Sequence, residues 1–155
     1  MSTLHIPFRH DHVGSFLRPV RLKDARIRYE AGSISAEQLK QIEDEEIAAL
    51  IEKQKQAGCL VITDGEFRRS YWHLDFMWGF QGIQKIELDH GYFFHGEETT
   101  PGSIEVIGKI SGEDHPFVEH FRFVKQFEEE GIVAKQTIPA PAQLLAELYR
   151  EDNGE

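Results

Sequence analysis

Three short segments combine polar side chains with glycine or proline in a way that suits a ligand-binding site. They are His-Val-Gly-Ser at 12–15, Thr-Asp-Gly-Glu-Phe-Arg-Arg at 63–69 and Thr-Ile-Pro-Ala-Pro at 137–141. Glu66 is suited to holding an ammonium group through a charge-assisted hydrogen bond. Ser15 follows a glycine, so its backbone N–H and its hydroxyl group can approach a ligand closely. Together these residue types predict a site for a zwitterionic amino acid.

The two arginines after Glu66 leave two interpretations open. Arg68 and Arg69 either complement the carboxylate of a ligand or form internal salt bridges with Glu66 and Asp64. In the second case the segment is a turn held by ion pairs and binds nothing. The residue types alone favour neither interpretation.

The histidines and the single cysteine give little support for a metal site or a nucleophile. His10 and His12 would share one face of a strand, yet no third ligand is spaced to join them. His12 is the best histidine for a site role, because it lies two residues from Gly14. Cys59 is the only cysteine, so it forms no internal disulfide, and a small buried thiol in a reducing cytoplasm is predicted.

Charge and hydropathy exclude two classes of partner. The formal net charge is −10, from 17 Lys and Arg against 27 Asp and Glu, which disfavours nucleic acid because phosphate binding needs basic surface. No apolar run approaches the roughly 18 residues of a membrane span. We therefore expect neither a nucleic-acid partner nor a membrane partner. The acidic run 43–46 is interpreted as a solvated helix face.

The order of the predicted elements indicates an α/β protein. A buried parallel strand at 60–66 would deliver Asp64 and Glu66 at its C-terminal end, where barrels of alternating strands and helices carry their chemistry. Strand, crossover helix and strand in this order form a parallel βαβ unit. The other predicted elements are strands at 11–17 and 132–139, helices at 20–31, from Ser35 to Gly58, at 70–80, from Asp114 to Gly131 and at 144–149, and an antiparallel hairpin within 83–112.

This pattern predicts one domain over 1–155, the N-terminal part of an eight-stranded β/α (TIM) barrel. A doubly wound sheet would usually carry a G-x-G-x-x-G loop after its first strand, and 14–17 lacks that spacing. A complete barrel needs roughly 250 residues. The chain would therefore supply the first three or four of the eight units, with the hairpin as an insertion.

Several of these segments resemble a known family. Residues 12–16 and 63–69 resemble the catalytic barrel of cobalamin-independent methionine synthases, especially the shorter single-barrel bacterial members, and 71–76 and 137–141 are also similar to that subgroup. The resemblance implies transfer of a methyl group from a methyl-folate to a thiol such as homocysteine. It also implies a zinc ion that binds the thiol and lowers its pKa.

The resemblance assigns roles to particular residues. Val13, Gly14 and Ser15 would contact the amino-acid end of homocysteine, Glu66 would hold its ammonium group, and Arg69 would support the site. The other residues expected to line the site are His12, Asp64 and Trp72. No catalytic residue and no zinc ligand is expected in this chain, because the family's zinc and folate residues would lie beyond Glu155. The fragment alone is therefore expected to be inactive.

The methyl donor and the activity both have alternatives. Residues 97–100 read Glu-Glu-Thr-Thr where methionine synthases carry an Arg-Cys pair beside the folate. A decarboxylase-type barrel of the same superfamily would use arginines near the first strand for an acidic tetrapyrrole, and Arg18 and Arg21 are available. A non-catalytic half-barrel that self-associates or binds a partner is the third interpretation.

The half-barrel hypothesis makes a prediction about association. An open parallel sheet leaves unpaired strand edges and an uncovered apolar face, so the isolated chain should dimerise or aggregate. Light scattering at micromolar concentration measures this directly. A sharp monomer peak would contradict the half-barrel.

Overall fold

The computed structural model describes residues 12–148, so His10, Asp11 and Tyr149 lie outside the described residues. The described residues form two compact units. The first contains 12–69 and 118–137, and the second contains 70–117 and 138–148. Each unit has its own apolar cluster, and each is described separately.

The first unit begins with two helices whose ends follow from local sequence. Helix α1 (Val20–Glu30) ends at Gly32, which adopts a φ of +68° and donates its N–H to Tyr29 O at 2.9 Å. Helix α2 (Ala36–Gln56) begins after Ser35. The Ser35 hydroxyl accepts the Gln38 N–H, and the Gln38 side chain accepts the Ser35 N–H at 2.8 Å, so the two residues form a capping box.

Strand β1 (Val61–Ile62) is shorter than the predicted strand at 60–66. The strand ends before Thr63 because the side-chain amide of Gln54, in α2, binds both backbone groups of that residue. Gln54 Nε2 donates to the Thr63 carbonyl at 2.9 Å, and Gln54 Oε1 accepts the Thr63 N–H at 3.0 Å. Strand β6 (Val133–Ala134) pairs with β1 in parallel, as predicted for the strand at 132–139. Its pairing is also short, because the Thr137 carbonyl accepts from Arg69 instead of from a strand.

The predicted first strand at 11–17 is wrong for its described part. Residues 12–17 form no strand, and Gly14 has a φ of +86°. The Phe16 N–H nevertheless donates to Gly65 O at 3.1 Å, and the His12 carbonyl accepts from Lys135 Nζ at 2.9 Å. One backbone hydrogen bond and one bond from a lysine side chain therefore hold this segment in place of the expected strand pairing.

The interpretation of 43–46 as a solvated face is wrong for Glu43. This carboxylate is only 9% exposed and forms ion pairs with Arg68 at 3.2 Å and Arg26 at 3.5 Å. Helix α2 therefore carries the Glu43 carboxylate on its buried side, where Arg26 and Arg68 provide the opposite charge. The apolar cluster of this unit consists of Leu22, Ile47, Ile51, Ile62, Phe67 and Val124.

The second unit is built on the predicted hairpin. Strands β2 (Gln81–Glu87) and β5 (Gly102–Ser111) pair antiparallel, with Gln84 opposite Glu105 and a bulge between Gln81 and Ile83. Between them, β3 (Phe93–Phe94) pairs with β4 (Glu97–Glu98). This confirms the antiparallel insertion within 83–112.

The predicted helix at 70–80 is mostly absent. Helix α3 (Leu74–Met77) is a single turn. The Asp75 carboxylate accepts the N–H groups of Ser70 at 3.0 Å and Tyr71 at 2.7 Å. These bonds hold the residues before α3 in a turn and compete with helical hydrogen bonds.

The remaining helices lie where the sequence predicts them but differ at their ends. Helix α4 (Pro116–Lys125) ends six residues before the predicted Gly131. It starts at its proline, and the capping side chain is His115, whose Nδ1 accepts the Phe117 N–H at 3.2 Å. Asp114, where the predicted helix begins, lies outside α4 and has a φ of +57°. Helix α5 (Pro141–Leu148) starts three residues earlier than predicted, with proline at its first position.

The described residues are thus an α/β arrangement with one parallel strand pair and an antiparallel insertion. The α/β class is confirmed, whereas closure into a barrel stays a prediction. Among the residues that the structure describes, no helix is both long and apolar enough to cross a membrane.

The capping box of α2 gives a stability prediction. Ser35→Ala removes the acceptor for the Gln38 N–H, so the free energy of unfolding should fall by about 1 kcal/mol in urea denaturation. Ser33→Ala makes the same change at an exposed serine outside the cap and should be nearly neutral. Equal losses in both variants would contradict the capping role.

Candidate functional site

A tight turn follows β1 and carries Glu66. The Asp64 carbonyl accepts the Phe67 N–H at 3.2 Å, and the two central residues, Gly65 and Glu66, have φ values of +62° and +58°. Positive φ at both central positions is the pattern of a type I′ turn. It is rare for a residue with a long side chain, and it costs about 1–3 kcal/mol.

Side chains before the turn stabilise this conformation. The Asp64 carboxylate accepts the Glu66 N–H at 2.9 Å, and the Thr63 hydroxyl accepts the Gly65 N–H at 3.1 Å. Glycine suits position 65 because of its φ of +62°, and a Cβ there would also displace a methyl carbon of Leu50, which would lie 2.4 Å away. The sequence Thr-Asp-Gly-Glu therefore encodes the turn directly.

The turn places the Glu66 carboxylate in a buried network. Glu66 is 5% exposed, and its Oε1 accepts from Arg69 Nη1 at 3.1 Å and from the Thr137 hydroxyl at 2.9 Å. Arg69 Nη2 in turn donates to the Thr137 hydroxyl at 2.9 Å. Within residues 12–148, Glu66 Oε2 has no hydrogen-bond partner and is not among the buried unpartnered atoms. This oxygen can therefore accept from a ligand.

Two arginines of the N-terminal region hold the backbone after the turn. Arg18 Nη2 donates to the carbonyls of Glu66 at 3.0 Å and Arg69 at 2.8 Å. Arg26 donates to the carbonyls of Arg69 at 2.9 Å and Phe67 at 2.5 Å. These bonds replace the helical or strand partners that the carbonyls lack. Neither Arg18, which precedes α1, nor Arg26 within it stands in a sequence pattern that indicates this role.

Arg68 binds carboxylates of α2. It forms ion pairs with Glu43 and Asp44, and its guanidinium lies 5.2 Å from the Phe123 ring centre. Burial raises the pKa of Glu43 despite the neighbouring Arg68 and Arg26. Burial also opposes ionisation of Asp44, but hydrogen bonds from Lys40 and Arg68 outweigh it and lower the Asp44 pKa. Both arginines therefore form internal ion pairs, but only Arg69 has a predicted partner, Glu66. Arg68 pairs with Glu43 and Asp44 instead of with Asp64 or Glu66.

The structure brings only some of the predicted site residues together. The Phe16–Gly65 hydrogen bond fixes the segment containing Val13, Gly14 and Ser15 beside the turn, and all three residues are exposed. His12 belongs to the same segment: its ring lies 5.0 Å from the Phe16 ring, and its Nε2 lies 4.0 Å from the sulfur of Cys59, before β1. The roles of these residues in ligand binding stay predictions.

Two more predicted residues have positions that the structure defines. Asp64 is 2% exposed and is used as a turn acceptor. Trp72 belongs to the second unit, where its half-exposed ring lies 4.3 Å from the His73 ring. Cys59 is a free thiol that is partly buried, whereas a buried one was predicted.

The second unit contains a buried polar cluster that the sequence did not reveal. Glu147 of α5 accepts from Ser103 at 2.6 Å and from the Tyr92 hydroxyl at 3.0 Å, and its Oε2 lies 3.2 Å from His73 Nε2. The members come from four separate segments, so no local motif could indicate them. The cluster ties α5 to the hairpin insertion.

Metal-binding groups are not assembled in the part of the chain that is described. From residue 12 to residue 148, no three or more His, Cys, Asp or Glu side chains are grouped to hold a metal ion. The residues present therefore do not fit the zinc ion that the resemblance implies.

Comparison with known proteins identifies what the chain is similar to. Residues 8–100 match the family model for the catalytic domain of cobalamin-independent synthases. The uncharacterized protein YxjH of Bacillus subtilis is 45% identical over 139 residues, which cover 90% of this chain and 37% of YxjH. A methionine synthase of Saccharolobus solfataricus is 28% identical over 144 residues, covering 90% of this chain and 40% of that enzyme.

A solved structure shows the same arrangement. A candidate vitamin-B12-independent methionine synthase from Listeria monocytogenes matches with a TM-score of 0.74 and 43% identity, over 91% of this chain and 39% of that one. The chain thus spans about two fifths of the length of the relatives it matches.

The buried ion pair gives a second stability prediction. Arg69→Met leaves Glu66 as a buried charge without its cation, so the free energy of unfolding should fall by about 3–5 kcal/mol in urea denaturation. Glu66→Gln together with Arg69→Met should cost less than the sum of the single changes.

Arg122→Met is the matched control, because Arg122 and its partner Glu119 are 65% and 71% exposed. Its effect should stay below about 1 kcal/mol. An Arg69→Met loss no larger than that of Arg122→Met would show that the Glu66–Arg69 pair does not hold the turn.

Proposed function

Because the chain belongs to the family of cobalamin-independent synthase catalytic domains, we propose that it forms the amino-acid-binding part of a methyltransferase site. The proposed acceptor is a thiol amino acid such as homocysteine, and the proposed donor is a methyl-folate. The likeness to the methionine synthase of S. solfataricus supports this pair of substrates. A cytoplasmic location is part of the same proposal.

The observation that carries the proposal is that only one oxygen of the Glu66 carboxylate is occupied by internal hydrogen bonds. Its Oε1 is saturated by Arg69 and Thr137, while Oε2 has no partner in the part of the chain that is described. The hydrogen bonds from Arg69 and Thr137 fix the direction of the carboxylate. An ammonium group at Oε2 gains a charge-assisted hydrogen bond to an acceptor that is already oriented.

The exposed segment Val13–Ser15 completes the proposed contacts to the amino-acid end. The hydrogen bond from Phe16 to Gly65 holds this segment against the turn, so the hydroxyl and backbone groups of Ser15 lie near the Glu66 turn. In this proposal the zinc ion and the methyl-folate are held by residues other than 12–148.

The internal contacts of Arg18 and Arg21 argue against the tetrapyrrole decarboxylase. Arg21 pairs with Glu45 and Glu46, and Arg18 donates to two backbone carbonyls. The two arginines expected to face an acidic tetrapyrrole therefore both have internal partners.

Calorimetric titration of the chain with homocysteine tests the proposal. Glu66→Gln keeps the size of the side chain but removes the charge that holds the ammonium, so affinity should fall about tenfold or more. Deaminated homocysteine should bind the parent chain as weakly as homocysteine binds the variant.

Glu119→Gln is the matched control, since the same change occurs at an exposed carboxylate of α4 and should not alter affinity. Unchanged homocysteine affinity in folded Glu66→Gln, or no binding by the parent chain, would overturn the proposal.

A further inference from the structure

We propose that the edge of β5 that faces away from β2 is an interface between two copies of this chain, paired antiparallel about a two-fold axis at Ile107. This interface belongs to the antiparallel insertion of the second unit. It therefore differs from the association that an open parallel sheet would cause, and it does not depend on the proposed function.

Strand β5 offers a long edge with exposed apolar side chains. Among the residues that the structure describes, β5 pairs only with β2, so its other edge has no strand partner there. Residues 105–110 are all exposed, and the exposed fraction is 40% for Val106, 63% for Ile107 and 38% for Ile110. A strand edge of this kind can be extended by another strand.

The two charged residues of this edge have no ion-pair partner within residues 12–148. Glu105 and Lys109 are both exposed, and neither forms a side-chain hydrogen bond or an ion pair in that range. Both charges are therefore available to a second polypeptide.

The order of residues in β5 indicates which polypeptide that is. Residues 103–111 read Ser-Ile-Glu-Val-Ile-Gly-Lys-Ile-Ser, with Ile107 at the centre. In an antiparallel pair of identical strands, each residue lies opposite the one at the same distance beyond the centre. Glu105 then lies opposite Lys109 of the second copy, and the symmetry produces this ion pair twice. Ile107 lies opposite itself.

Charge also distinguishes this register from its neighbours. Moving the axis by one residue, to Val106 or to Gly108, would place each charged side chain opposite Ile107 or a serine. Opposite charges and β-branched side chains that face each other across two strands stabilise the pairing. The axis at Ile107 is therefore the register in which β5 complements itself.

The competing explanation is that Glu105 and Lys109 protect an exposed edge against pairing, as charged side chains do on many edge strands. In that case either charge would hinder association whatever its sign. In the proposed interface the sign decides the outcome, because each charge faces the opposite one on the second copy.

The experiment is sedimentation equilibrium of the chain and of two variants, Glu105→Lys and Lys109→Glu. Each change places two pairs of like charges across the axis, so the dissociation constant of the dimer should rise about tenfold or more. An equimolar mixture of the two variants restores both opposite pairs in the heterodimer and should associate as tightly as the parent chain.

Glu87→Lys is the matched control, since it makes the same change in net charge as Glu105→Lys at an exposed residue of β2. Its dissociation constant should stay within about twofold of the parent value. A monomeric parent chain at micromolar concentration would overturn the interface, and so would a dimer that both charge reversals leave intact. Tighter association of either single variant on its own would show instead that the charges protect the edge.

Discussion

The buried ion pair between Glu66 and Arg69 is the interaction on which the first unit depends. A carboxylate that is almost fully buried must be paired and hydrogen-bonded, because an isolated charge in the interior is far too costly. Arg69 and Thr137 meet this requirement at one oxygen. The pair also joins the turn after β1 to the residues after β6, at the same end of the only parallel ladder that the described residues contain.

The left-handed conformation of Glu66 explains the large number of side chains around this turn. Such a backbone persists only where its surroundings over-determine it. Asp64 and Thr63 satisfy the N–H groups of the turn, and Arg18 and Arg26 satisfy the carbonyls that follow. The network therefore carries out two tasks, since it offsets the strain and orients the free oxygen of the carboxylate. A flexible carboxylate would lose more entropy on binding a ligand.

Sequence patterns predicted the parts of this arrangement that depend on local chemistry. Glycine before Glu66 and the apolar run before it indicated a strand that ends in a polar turn, and Thr137 was placed at the same site. The lengths of the strands were not predictable, because Gln54 replaces strand pairing at Thr63 from a distance of nine residues. Local patterns likewise cannot show that Glu147 meets His73, since 74 residues separate them and only the tertiary fold brings them into contact.

In the proposed function, recognition of the amino acid and transfer of the methyl group are separate tasks. Every hydrogen bond that fixes the Glu66 carboxylate comes from residues 12–148, so the orientation of its free oxygen is a property of the described residues. The same holds for Arg18, which the carbonyls of Glu66 and Arg69 hold in place. The proposed binding of the amino-acid end can therefore be tested separately from catalysis, because internal bonds already position the Glu66 carboxylate.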